Sequence, residues 1–167
     1  MAARSDFEIL FPTLPHSKPI AEMLQQQWRS NLNVEPKLVL QEFGVWLQNV
    51  LALQYSGAAE GGGWPDDLDP NGLLEWFAYG STFSGTGYAD AVLDKMLAEA
   101  DAIADPAERM NRLADCERHV LKTMPIIPIV HNVWRYLEKP FVRGTEGNAL
   151  DKHPFTYARI DTNWRPS

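Results

Sequence analysis

Cysteine is almost missing from this chain. Cys116 is the single example in 167 residues, so no intrachain disulfide can form and no paired-cysteine zinc motif exists. That leaves the compartment open, because a periplasmic protein can fold without disulfides. Clustered positive charge is missing too. The fifteen Lys and Arg are scattered as singles such as Arg4, Lys18, Arg29, Lys37 and Lys95, against 22 Asp and Glu, for a net charge of −7 and a pI near 5.0. Such a chain lacks the basic stripe that nucleic-acid backbones or anionic membrane surfaces require, so no nucleic-acid partner is expected. No apolar run approaches the roughly eighteen residues of a membrane span. The segment Met1 to Leu10, MAARSDFEIL, has no apolar core of a signal peptide, so the chain as written is expected not to be exported.

Catalytic signatures are scarce as well. His16, His119, His131 and His153 are far apart and form no HExxH or His-x-His pattern, so solvated or singly hydrogen-bonded histidines are a simpler reading than a metal site. No serine lies in a GxSxG elbow. Cys116 falls between Asp115 and Glu117, whose charges raise a thiol pKa and disfavour a nucleophilic thiolate. The run Gly61-Gly62-Gly63 is followed by carboxylates and by no Lys-Ser or Lys-Thr, which argues against a phosphate cradle. The chain is therefore read as a non-enzyme without cofactor or metal. A carboxylate-pair hydrolase built on Asp66, Asp67 and Asp69 fits the residue types, but three acids in four residues are more often turn formers and helix caps.

What is present is an ordinary globular composition, 45% hydrophobic and 22% charged, in a chain long enough to bury about 70% of its unfolded surface around one core. Phe7 to Phe11 predicts a strand. Ser17 is a plausible N-cap for a helix whose apolar face is Ile20, Met23, Leu24 and Trp28 and which ends near Asn31. Val34 to Leu40 predicts a second strand, with Pro36 favouring an edge position or a late start. Phe43, Trp46, Leu47, Val50 and Leu51 predict a helix within 42–54. The pattern then fails: YSGAAEGGG, Tyr55 to Gly63, reads as a flexible stretch, and Gly80 to Gly87 as a polar surface loop.

Two further helices carry clear punctuation. Asp90 opens one with Val92, Leu93, Met96, Leu97, Ala100 and Ile103 on a stripe. Asp105, Pro106 and Glu108 supply the N-cap, first-turn proline and capping-box acid of the next, which continues through Met110, Leu113, Val120 and Leu121. Ile126 to Val130 reads as a buried strand interrupted by Pro128, and the tail from Leu137 is loop-rich with weak strand signals.

The most distinctive local chemistry is Trp64 to Asn71, WPDDLDPN. A carboxylate displayed beside an indole can pair with an ammonium while the ring supplies apolar or cation–π contact. The competing reading is a plain turn, Asp69-Pro70-Asn71-Gly72, with Trp64 in the core.

The order of elements and several motifs resemble solute-binding protein family 5, the oligopeptide, dipeptide and nickel receptors of ABC importers. The resemblance spans nearly the whole chain. It includes Glu42-Phe43-Gly44 before a helix, Trp64-Pro65-Asp66-Asp67-Leu68-Asp69-Pro70, Gly87-Tyr88, the Asp105-Pro106-x-x-Arg109 junction and Met124-Pro125-Ile126-Ile127-Pro128-Ile129.

The resemblance implies a periplasmic-binding-protein-like α/β lobe, a mixed sheet flanked by helices, in an incomplete two-lobe architecture. Residues 1–124 would form the second, ligand-binding lobe. Residues 125–167 would supply a hinge strand and a segment completing the first lobe. It also implies a C-terminal fragment of an extracytoplasmic parent that captures a peptide-like solute between its lobes and delivers it to ABC permease subunits. Asp66 would hold the ligand's α-amino group, with Trp64 and Asp67 beside it. Asp67 stands where the family frequently has an aromatic residue, which leaves open whether Asp66 or Asp67 faces the cleft. The alternative is a truncated, stand-alone lobe that acts as a protein-interaction module with no transport role.

Overall fold

The computed structural model describes residues 7–63, 66–81, 85–131, 133, 135–145, 147, 150, 152–153 and 155–165. Its first half is a parallel β-α-β-α-β unit. Strand β1 (Glu8–Pro12) lies in the centre, β2 (Lys37–Gln41) pairs with one side of it and β3 (Gly57–Ala59) with the other, giving the order β2-β1-β3. In register, Ile9 faces Leu38 on β2 and Ala58 on β3.

The connecting helices cover opposite faces, as a central strand with both faces buried requires. Helix α1 (Ser17–Leu32) packs Ala21, Leu24 and Trp28 on Ile9 and Phe11. Helix α2 (Phe43–Leu51) packs Trp46 and Val50 on Leu10. Alternate residues of β1 therefore feed two different clusters, which follows from the two-residue period of a strand.

The second half is helical. A short helix α3 (Asn71–Leu74), extended by a 3-10 turn at Glu75–Phe77, leads to α4 (Ala91–Asp101) and α5 (Pro106–Thr123). Leu93, Leu97 and Ala100 of α4 interlock with Leu113, Cys116 and Val120 of α5, and Leu74 closes the cluster. Beyond α5 the described residues form no regular element before a small antiparallel pair, β4 (Val142–Arg143) with β5 (Arg159–Ile160). Both parallel and antiparallel pairing thus occur, in separate sheets.

Several expectations need correction. Ser17 is the first residue of α1 and not its cap; its hydroxyl donates to Glu60 Oε1 at 2.8 Å, and the N-cap position falls to His16, which makes no side-chain cap bond. Met23, Val92, Met110 and Leu121 are exposed, so each predicted apolar stripe is narrower than its spacing suggested. Strand β3 lies inside the stretch expected to be flexible. Its Gly-Ala-Ala sequence has no β-branched or aromatic signal, and its ladder to β1 overrides weak propensity. Residues 126–130, expected as a buried strand, pair with no strand among the described residues, and Ile126, Ile127, Ile129 and Val130 are exposed. Pro125 and Pro128 remove two ladder donors from that segment.

Candidate functional site

The order β2-β1-β3 with helices on opposite faces creates a switch point between β1 and β3, where the two chains leave their carboxyl ends in different directions. Open α/β sheets bind ligands in the crevice outside those ends. The loop that departs from β3 runs through Glu60 and Gly61 to Gly63 into the acidic segment, so the topology brings the distinctive sequence to that edge. Gly63 packs against the Trp76 ring, which a Cβ at this position would meet at 2.0 Å, so a side chain here would displace the indole.

The acids of this loop do different work. The Asp67 carboxylate accepts the Asp69 N–H at 3.0 Å, an Asx-type turn. Asp69 Oδ1 accepts the Asn71 N–H at 3.0 Å, and its Oδ2 takes Arg109 Nη1 at 2.7 Å. The Asn71 N–H, and then Arg109, hold the Asp69 carboxyl below the usual carboxylate range. Asp66 is exposed and, among the described residues, its carboxylate has no hydrogen-bond or ion-pair partner, although its backbone carbonyl accepts Lys152 Nζ at 2.5 Å. Trp64, expected beside it, lies outside the described residues.

Sequence reading missed two other polar groupings. Glu60 is half-buried, and burial raises its carboxyl pKa against the lowering effects of Ser17 and His16; its Oε2 is buried without a hydrogen-bond partner among the described residues. His119 Nε2 lies 2.7 Å from Asp90 Oδ2, and the same oxygen accepts the Tyr88 hydroxyl at 2.8 Å. These partners are 43 and 29 residues apart, beyond any local motif. The Cys116 thiol pKa is raised as expected, but burial is the main cause and Asp115 a lesser one. No group of three metal-ligating side chains occurs among the described residues.

No family model matches the chain. It is 30% identical over 156 residues, 93% of its length, to the dipeptide-binding protein DppE of Bacillus subtilis, and 29% identical over 150 residues to the periplasmic oligopeptide-binding protein OppA of Haemophilus influenzae. It spans 27% of the length of each of these relatives. The crystal structure of Haemophilus influenzae OppA in complex with the peptide RPPGFSPFR superposes with a TM-score of 0.81 and 26% identity, over 95% of this chain and 31% of that one. In sequence and in fold alike, what the chain matches is a fragment of a peptide-binding protein of solute-binding protein family 5.

Proposed function

We propose that this chain is the ligand-holding part of a substrate-binding component of an ABC importer. Its parent captures peptide-like solutes in a cleft between two lobes outside the cytoplasm and presents them to the permease. Residues 7–124 contribute most of the second lobe. The segment from Pro125 crosses to the first, and the exposed side chains of Ile127, Ile129 and Val130 are covered there. Asp66 receives the ligand's α-ammonium, with Trp64 and Asp67 at its side. The parent binds and releases its solute without chemistry.

The observation that carries the reading is the exposed Asp66 carboxylate, without a partner among the described residues, on the loop that leaves the switch-point edge of the sheet, in a chain matched along nearly its whole length by peptide-binding proteins. A cleft that closes on an ammonium must pair it with a carboxylate, because an isolated buried charge is costly. Asp67 and Asp69 are already engaged in the turn, so Asp66 is the better candidate of the two left open by the sequence.

Calorimetric titration of the complete parent with trialanine and with N-acetyl-trialanine tests this. Asp66→Ala is expected to weaken trialanine by roughly tenfold or more, the size of a lost charge-assisted bond, and to leave the acetylated peptide nearly unchanged. Equal losses for both peptides refute the role given to Asp66.

A further inference from the structure

Arg109 ties the acidic loop to the helical half at one corner of the described structure. Arg109, on the first turn of α5 and 24% exposed in its side chain, reaches Asp69 Oδ2 at 2.7 Å with Nη1 and Asp101 Oδ1 at 3.6 Å with Nη2. Asn71 completes the corner: its Nδ2 donates to Glu75 Oε1 at 2.8 Å and lies 3.4 Å from Asp101 Oδ1, while its backbone N–H holds Asp69. One guanidinium therefore joins the loop, α3, the end of α4 and the start of α5. We propose that Arg109 is the positioning residue of the ligand-ammonium site: it withdraws Asp69 from competition for the ligand and fixes the loop so that Asp66 alone is presented.

This inference rests on the reading that the loop holds a ligand's ammonium. Asp66, Asp67 and Asp69 place three negative charges within four residues, and such a cluster repels itself and offers a cation several alternative seats. Two of those carboxylates are already engaged, Asp67 through one oxygen and Asp69 through both. Asp67 accepts from the Asp69 N–H, so the turn that orients Asp67 depends on where Asp69 is held, and Asp69 is held by Arg109. Arginine suits the task because its planar fork serves two carboxylates at once and keeps its charge, whereas a lysine presents a single point charge.

Carboxyl-carbon NMR of the complete parent protein, with this chain unaltered and as Arg109→Gln and Arg109→Lys, tests the proposal. Two quantities are read: the titration of Asp69, and the response of Asp66 and Asp69 to added trialanine, with N-acetyl-trialanine as control. In the unaltered chain Asp69 is expected to titrate below the usual carboxylate range and trialanine to perturb Asp66. In Arg109→Gln the Asp69 titration moves up, and the Asp66 response weakens roughly three- to tenfold as Asp69 begins to respond, the scale of coupling within one ion-pair network. Arg109→Lys restores the Asp69 titration in part.

A folded Arg109→Gln variant whose Asp66 response equals that of the unaltered chain overturns the proposal, even if its melting temperature falls. So does an Asp69 titration that the substitution does not move. Absence of an Asp66 response in the unaltered chain refutes the ammonium-binding reading, and the Asp69 titration then still decides whether Arg109 organises the loop.

Discussion

Four hydrogen-bonding partners converge on the Asp90 carboxylate among the described residues. Its Oδ1 caps α4 by accepting the Val92 and Leu93 N–H groups, while Oδ2 receives His119 and the Tyr88 hydroxyl. His119 first, then Tyr88 and the Val92 N–H, hold the Asp90 carboxyl far below the usual carboxylate range. A depressed folded-state pKa contributes stability that is fully present above the unfolded value of about 4 and is lost as pH falls towards the folded one. Thermal melts between pH 7 and pH 2 should therefore show an acid limb that is flatter in Asp90→Asn than in the unaltered chain. An identical acid limb would remove Asp90 from the account. At this scale the sequence was partly legible. Asp90 reads as a helix start, because capping is a local effect, but its pairing with His119 depends on α4 and α5 packing together.

Helix boundaries were the most readable elements, since their signals are written within a few residues. Asp105 accepts the Glu108 N–H at 2.8 Å, and Pro106 follows in the first turn. Asp105→Ala should cost about 1 kcal/mol in denaturant unfolding. Truncating the centre of the α4–α5 interface is more severe: Leu113, 1% exposed, should lose about 2–5 kcal/mol on change to Ala.

Strands were less readable, because a strand exists only through its partner. Gly57 opens β3 at φ +104°, and a Cβ there would meet the Glu8 carbonyl oxygen at 2.7 Å. Gly57→Ala should therefore destabilise the fold by about 1–3 kcal/mol and speed amide exchange at Ala59 and Glu60. Unchanged exchange would mean that β3 does not depend on this glycine. The reverse error occurred at 126–130, where an apolar run imitates a strand but pairs with no strand among the described residues.

At the scale of the molecule, the parallel unit and the helical pair each bury their own apolar side chains, whereas the segment after α5 leaves Ile127, Ile129, Val130, Val133 and Leu137 exposed. Exposure of this kind fits the proposal that the first lobe covers this segment. The chain alone should therefore bind a hydrophobic dye and self-associate at micromolar concentration, and Ile127→Ser with Ile129→Ser should reduce both effects without lowering the melting temperature of the rest. The family resemblance was legible because its motifs sit at turns and caps, where few residue types serve. The roles of the individual acids were not, because Asp66, Asp67 and Asp69 differ only in the partners that folding gives them.

Native mass spectrometry of the protein carrying this sequence, isolated from its source cells, tests the central claim most directly. The account predicts a species well above 18.9 kDa in the extracytoplasmic fraction that releases bound peptides on denaturation. A species of 18.9 kDa that releases no peptide would contradict it.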